Sequence, residues 1–404
     1  MFGFEKVIIV GAGPTGALLA LLLARKGIQV EMLDQAHGPD KQPRASHYST
    51  PALPELRRAG VLDDVYTAGF IPGKMSWRKL DGTRIAGLDS SVMDKSDRIV
   101  CLPLDKLGDI LFKHLGQQKS AVVKWGCKVV ALGQDETKGW VDVETDGKKK
   151  RLDADYIIGC DGANSQVRKC LFGDKSFPGM TWDEQLVATN VYYDLGKWGF
   201  DDVNYIIHPE HWFMAARITT DGMWRVTYGE TPGLSPEELI SRQPPKFKEM
   251  LPGSPEPRDY KITNISPYRV HQRLAEEMRV GRVLLAGDAA HLNNPFGGLG
   301  LTGGIVDVGG LYDCLMGIHE GKADSSILDV YSDVRREKYY TIVNPTSSAN
   351  FRRLFDQDPD TALDGDEFLK ICRRAESDPR LSREFQLNIN ALRYDFTQHY
   401  HSKP

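Results

Sequence analysis

The run Lys6-Val7-Ile8-Ile9-Val10 passes directly into Gly11-Ala12-Gly13-Pro14-Thr15-Gly16. A short β-branched run of this kind reads as a buried parallel strand. The residues from Thr15 to Lys26 are rich in Ala and Leu, which favour helix, and Gly27 is placed to end it. Gln29 to Leu33 reads as a second strand, completing a βαβ unit with an expected right-handed crossover. In such a turn Gly11 permits the bend, Gly13 lets the backbone approach a pyrophosphate, and Gly16 lets helix and strand pack closely. Pro14 and Thr15 open the helix, whose N-terminus offers free N–H groups and positive potential to phosphates. Asp34, at the end of the second strand, is placed to accept hydrogen bonds from an adenosine ribose hydroxyl pair. It would repel a 2′-phosphate, which argues against NADP in this site. This pattern alone does not separate NAD from FAD, and a glycine-rich turn that binds nothing is the bland alternative.

The chain has 404 residues, a prior of two or three domains, and needs no disulfide or structural metal to hold a core. Its net charge of −4 argues against a nucleic-acid binder but leaves an acidic small molecule open as substrate. Cys101, Cys127, Cys160, Cys170, Cys314 and Cys372 are scattered, and none forms a CxxC pair. That fits a reducing, cytoplasmic setting and argues against zinc. Val7 to Ala24 carries no charge and could be mistaken for a membrane anchor, but glycines and Pro14 interrupt it. No membrane span is expected, and the partners expected are small molecules acting on a monomer or homodimer.

Further along, residues 53–62 read as helical, Ile99 to Leu115 contains a longer helix, and 121–157 alternate strand patterns with polar turns. Tyr156 to Gly159 reads as another buried strand. From about 175 to 280 strand-like pieces recur at Gln185–Tyr193, Tyr205–His208, Trp212–Arg217 and Met223–Gly229, with a proline-rich connection over 232–257. This texture predicts an inserted, mainly antiparallel sheet. Arg282 to Gly287 returns to a buried strand, a glycine-rich loop at 297–304 opens a helix running to about Gly317, and helical patterns dominate from Ser325 onward. The expected class is α/β. A discontinuous Rossmann-like domain takes 1–70, 100–174 and 281–355, a sheet domain takes 71–99 and 175–280, and 356–404 form a C-terminal helical segment.

Four segments carry a resemblance. Gly11 to Gly16 is one. Pro43-Arg44-Ala45, before a helix at Leu53–Gly60, is the second. Asp155-Tyr156-Ile157-Ile158-Gly159-Cys160-Asp161-Gly162, continuing to Arg168, is the third. Arg282 to His291 (Arg-Val-Leu-Leu-Ala-Gly-Asp-Ala-Ala-His), continuing through Pro295-Phe296-Gly297-Gly298-Leu299-Gly300, is the fourth. Together they resemble the flavoprotein aromatic hydroxylases, the p-hydroxybenzoate hydroxylase-like FAD monooxygenases. The resemblance implies FAD as cofactor and NAD(P)H as a transient co-substrate. It also implies O₂ as oxidant, reacting through a flavin C4a-hydroperoxide, and an electron-rich aromatic, phenolic or polyketide-like substrate. It implies that Arg44 contacts the FAD pyrophosphate, that the segment around Asp161 touches FAD and the nicotinamide path, and that Gly300, Leu301 and Thr302 meet the flavin through backbone.

On chemistry, Asp288 follows a buried strand ending in Gly287, where a carboxylate can accept hydrogen bonds from ribityl hydroxyls; a helix cap is its plainer role. Gly297, Gly298 and Gly300 let backbone N–H groups approach the flavin edge that gains negative charge. Two departures stand out: Pro103-Leu104 replaces the usual Pro-Gln, and Leu301-Thr302 the usual Leu-Asn. For the substrate, Met223 to Tyr228 alternates, placing Trp224, Val226 and Tyr228 on one face and Arg225 and Thr227 on the other. Arg217, Tyr228 and His211 are the candidates for substrate orientation, and Pro295 for the wall beside the reacting flavin carbon. An FAD-dependent reductase or dehydrogenase of the same fold is the alternative, as is a non-catalytic FAD-fold binding protein.

Overall fold

The structure, a computed structural model, describes residues 3–44 and 46–401. Ala45 of the expected arginine loop lies outside the described residues. Strand β1 (Lys6–Val10) is followed by helix α1 (Pro14–Ala24) and strand β2 (Gln29–Leu33). The strands run parallel, with Val7 opposite Val30 and Val10 opposite Leu33. Helix α1 is apolar all round and buried from Gly16 to Ala24, the signature of a helix enclosed on every side. Leu18, Leu19, Leu21, Leu22 and Leu23 are fully buried, each worth about 1.5–3 kcal/mol relative to exposure. Gly27, at φ +82°, turns the chain out of the helix.

The chain then forms β3 (His47–Tyr48), α2 (Leu53–Arg58), α3 (Leu62–Ala68), β4 (Lys74–Arg78), β5 (Arg84–Asp89), β6 (Val100–Cys101) and α4 (Leu104–Leu115). The helix expected over 53–62 stops early because Gly60 takes φ +71° between α2 and α3. Strands β7 (Ala121–Lys124), β8 (Lys128–Gln134), β9 (Gly139–Thr145), β10 (Lys148–Ala154) and β11 (Tyr156–Gly159) follow, then α5 (Gln166–Phe172). After them come β12 (Gly179–Tyr192), β13 (Val203–Ile206), β14 (Phe213–Arg217), β15 (Met223–Glu230), α6 (Pro236–Ser241), α7 (Gln243–Met250) and β16 (Lys261–Leu274). The long β16 is a strand that the sequence patterns did not suggest. Likewise the proline-rich connection carries two helices, α6 being closed by a Ser235–Glu238 capping box.

Last come β17 (Arg279–Val280), β18 (Val283–Leu285), β19 (His291–Leu292), α8 (Leu299–His319), α9 (Ile327–Lys338) and α10 (Asn344–Phe355). Three short helices, α11 (Ala362–Gly365), α12 (Glu367–Ala375) and α13 (Pro379–Leu387), close the described chain.

Two large sheets organise these elements. A six-stranded sheet has the order β17-β18-β11-β1-β2-β7 and is parallel except at the β17 edge. An eight-stranded sheet has the order β19-β16-β12-β15-β14-β13-β4-β5 and is antiparallel except between β13 and β4. Its outer face packs Val187, Phe213, Trp224, Val226 and Tyr228 against Leu239, Phe247 and Met250 of α6 and α7. Strands β8 to β10 form a separate three-stranded sheet. Helix α8 is long and apolar enough to cross a membrane, by length and composition. It is a core helix instead: 83% of its most apolar stretch is buried, and it packs on α1.

Candidate active site

The carboxyl ends of β1, β2, β11 and β18 open onto one cavity of about 1130 Å³, whose far wall is the inner face of the eight-stranded sheet. Open α/β sheets bind ligands beyond the carboxyl ends of their strands. The volume exceeds the roughly 300–1,000 Å³ of a pocket for one small ligand.

The first wall is the glycine turn. Gly11 has φ +105°, and a Cβ there would sit 2.3 Å from the Cys160 carbonyl oxygen, so no other residue fits. Gly13 caps α1 and faces open space, and Pro14 and Thr15 line the cavity beside it. Gly16 lies behind them, where a Cβ would come within 2.1 Å of the Gly11 carbonyl oxygen; its role is packing. Asp34 lines the cavity and also holds the turn, accepting from Ala12 N at 2.7 Å and Ala36 N at 2.8 Å. Arg44 lines the same side and pairs with Asp40 at 3.1 Å.

Asp161 lines the cavity, but its carboxylate is occupied. It accepts from Ser165 Oγ at 2.5 Å, Gln166 N at 2.7 Å and Val167 N at 3.1 Å, so the side chain caps α5. Arg168 is buried and donates to the Ala289 and Ala163 carbonyls at 2.8 Å, tying the third sequence segment to the fourth. Asp288 differs from Asp161: it is exposed to the cavity and has no hydrogen-bond partner among the described residues. Burial raises its carboxyl above the usual range, against the pull of His291 and Arg44.

Beneath Asp288 lies a cluster that the sequence reading missed. Asp307 of α8 is fully buried. It accepts from Gly287 N at 3.0 Å, His291 Nε2 at 2.7 Å and Arg335 Nε at 2.7 Å. Burial alone would raise its carboxyl, but His291 and Arg335 outweigh that and hold it well below the usual range. One carboxylate thus clamps the loop that carries Asp288. An Asp flanked by Val306 and Val308 in the apolar helix α8, which also carries Asp313, is its only sequence signal. Gly287 itself does not line the cavity; at φ +61° it packs on Thr15 Oγ1.

Helix α8 starts at Leu299 behind Gly298, whose φ is +63°. Gly298, Gly300 and Leu301 line the cavity, as does Pro295. Thr302 is buried away from it, its hydroxyl accepting from Ser49 N at 3.3 Å. A backbone approach at Gly13 and Gly298, two helix N-termini and an unpaired Asp288 carboxylate suit a flavin dinucleotide, so the residues present fit FAD.

The second wall is built in rows. Met75, Val203, Ala216, Arg225, Asn190 and Asn264 are aligned across β4, β13, β14, β15, β12 and β16, and all six face the cavity. One pleat repeat further, Tyr205, Met214, Thr227, Ala188 and Ser266 form a parallel row. Arg225 donates through Nε to Asn190 Oδ1 at 3.0 Å and through Nη2 to the Pro43 carbonyl. It makes no ion pair with a carboxylate among the described residues. His47 also lines the cavity. Its Nδ1 lies 3.0 Å from Ser46 Oγ while Nε2 is buried without a partner. Burial, then Arg225, push its pKa down to about 4.

This geometry corrects three expectations. Tyr228 is on the opposite face, packed 5.9 Å from Phe247 with its hydroxyl unpartnered. Arg217 does not line the cavity; it lies 4.6 Å over the Phe70 ring and 3.3 Å from Asp202. His211 sits outside, 3.4 Å from Lys246 and 3.8 Å from Glu249. The alternation along β15 holds, but its apolar face meets α7 and its polar face meets the cavity. Tyr228→Phe is therefore expected to leave substrate KM unchanged and, by removing an unsatisfied buried hydroxyl, to keep or raise stability by up to about 1 kcal/mol. Steady-state kinetics and a melting curve check both.

Comparison with known proteins places this arrangement. The FAD binding domain family matches residues 5–345. Para-nitrophenol 4-monooxygenase of Pseudomonas sp. strain WBC-3 is 36% identical over 391 residues, 96% of each chain. The 6-hydroxy-3-succinoylpyridine 3-monooxygenase HspB of Pseudomonas putida strain S16 is 39% identical over 361 residues, 88% of this chain and 90% of that one. The crystal structure of p-nitrophenol 4-monooxygenase PnpA from Pseudomonas putida DLL-E4 superposes with a TM-score of 0.91 at 35% identity, covering 97% of this chain and 99% of the other. Aklavinone-11 hydroxylase, solved with FAD and aklavinone, shares the fold at a TM-score of 0.75 and 24% identity, covering 89% of this chain and 70% of that one. With the family model covering nearly the whole chain and relatives this similar over almost their full length, the chain belongs to the FAD-binding family of aromatic hydroxylases and is an FAD-dependent monooxygenase.

Proposed function

We propose that the chain oxygenates a small hydroxyarene at the ring carbon para to its hydroxyl, where that carbon carries an electron-withdrawing substituent; the new C–O bond displaces that substituent, which departs with the electron pair of its bond to the ring (nitro as nitrite) and leaves a quinone, while the second oxygen atom of O₂ ends as water. Two relatives support this by name. In para-nitrophenol the 4-position bears the nitro group; in 6-hydroxy-3-succinoylpyridine the 3-position bears the succinoyl group and lies para to the hydroxyl. The observation that carries the reading is the single cavity: it joins the glycine cradle to a sheet face that contributes cations and hydroxyls but no carboxylate. A neutral or anionic aromatic ring suits such a wall, and a cationic one does not.

Gly13, Pro14, Thr15, Asp34 and Arg44 would hold the adenosine and pyrophosphate end of FAD, and Asp288, Gly298, Gly300 and Leu301 the flavin end. When bound, FAD supplies the two electrons taken from NAD(P)H and the activation of O₂. The protein supplies orientation and dryness. Pro295 closes the wall next to Gly298. The Arg225 row holds the substrate's polar end, and the Met214 and Tyr205 row packs its ring. In this reading 1–70, 100–174 and 281–355 serve FAD, and 71–99 and 175–280 serve the substrate. From the segment 356–404, Leu369 and Cys372 pack on Trp77 and Ile85 at the sheet edge. All six cysteines are unpaired, which supports a reducing compartment, the cytoplasm.

The test is turnover of 4-nitrophenol by the FAD-loaded chain with NAD(P)H under ¹⁸O₂. Expected are NAD(P)H and O₂ consumption in equal amounts and one labelled oxygen in the product. NAD(P)H oxidation without label in the product would make the chain a reductase and overturn the proposal.

A further inference from the structure

We propose that Arg225 is the counter-ion of the substrate's ionised hydroxyl, so that the enzyme ranks its substrates by the acidity of that hydroxyl. This deepens, and rests on, the para-substituted hydroxyarene reading above. Buried arginines are normally paired with a carboxylate, because a lone charge in a dry site is costly. Arg225 is enclosed enough that desolvation works against its charge, yet its two protein partners are neutral: the Asn190 side-chain oxygen and the Pro43 carbonyl. A guanidinium has five N–H donors. These two bonds fix the group against β12 and Pro43 and leave Nη1 without an acceptor among the described residues. Arg225 stands in the middle of the first cavity row, and no neighbour in that row is acidic. An anion must come from a ligand.

The other side of the same space supplies a hydrogen-bond acceptor. His47 Nε2 is buried, unpartnered and close enough to Arg225 to feel its charge. A hydroxyl oxygen between the two receives a hydrogen bond from Arg225 and donates one to His47. When the O–H bond breaks, its electron pair stays on the oxygen beside Arg225 and the proton is released to water, His47 remaining neutral. No oxidant or reductant enters this step. An electron-withdrawing group para to the hydroxyl lowers the cost of that ionisation by delocalising the charge. Arg225 therefore explains why nitro- and acyl-bearing rings would be preferred over alkylphenols, without any contact to the para substituent.

The experiment measures Kd on the FAD-loaded protein at one pH for four phenols of falling acidity: 4-nitrophenol, 4-hydroxyacetophenone, 4-chlorophenol and 4-methylphenol. Wild type is expected to bind them in that order. Arg225→Gln should weaken 4-nitrophenol about 10- to 100-fold, the range of a charge-assisted hydrogen bond, and 4-methylphenol less than about 3-fold, flattening the series. Arg225→Lys keeps the charge and should keep the order. An unflattened series in Arg225→Gln, or a wild type with no ranking, would overturn the proposal. So would a Gln variant that loses affinity for NADP⁺ or NAD⁺ instead of for phenols, since that would assign Arg225 to a nucleotide phosphate. Failure of the broader reading looks different: wild type ranks the phenols but places no oxygen in any of them.

Discussion

Asp307→Ala is expected to remove about 3–5 kcal/mol of folding stability, the usual cost of stripping one partner from a buried charge cluster. Arg335 would be left as an uncompensated buried cation, and Gly287 N and His291 Nε2 would lose their acceptor. Urea unfolding monitored by circular dichroism reads the loss directly. Asp307→Asn keeps one acceptor oxygen and should lose less. The carboxyl is held below its ordinary range in the folded chain, so protons bind it more readily when the chain unfolds. Its contribution is therefore complete above the unfolded carboxylate pKa of about 4 and is lost as the pH falls further, through the folded value. The Asp307→Ala chain should show a flatter decline of stability with acid than wild type. An unchanged acid limb would show that the cluster does not act as a charged unit.

Asp288→Ala is the second large effect, with the opposite signature. FAD affinity should fall about 10- to 100-fold, the worth of hydrogen bonds to a charged acceptor in a dry site. Titration of apoprotein with FAD, followed by flavin fluorescence, measures it. Because Asp288 makes no hydrogen bond among the described residues and burial raises its carboxyl, the folded apoprotein gains nothing from the charge. The apo form of Asp288→Ala should melt no lower than wild type. A variant that purifies fully yellow with unchanged affinity would remove Asp288 from the ribityl role.

The parts of this molecule that were legible in its sequence are those whose chemistry is local. The strand, glycine turn and helix at 6–24 need only β-branched residues, a glycine at Gly11 and an Ala/Leu run, and no distant contact changes that reading. The position of Asp288 on the cavity wall was legible for the same reason: it follows a buried strand and precedes glycines. Asp161 sat in an equally recognisable segment, but whether its carboxylate faced a ligand or capped α5 depended on the geometry of Ser165 and Gln166. On β15 the two-residue period separated Arg225 and Thr227 from Trp224, Val226 and Tyr228 correctly. Alternation does not say which face meets the cavity when both are covered, and the covering of one by Phe247 comes from a helix inside a segment that reads as a loop. His47 and Asp307 drew no notice because their meaning lies in partners far along the chain.

One consequence of the strand order reaches back to how the protein is made. Helix α1 is apolar on every side, and one of its packing partners, α8, is encoded about 275 residues later. At 5–20 residues per second, a ribosome leaves that helix without its lid for roughly 15–55 s. For nearly all of that interval Gly13 is present and Asp288 is not, so the half-made chain lacks the flavin end of the site. Loading is a late event, and the nascent polypeptide is a natural client for chaperones that shield greasy segments until the last helices arrive.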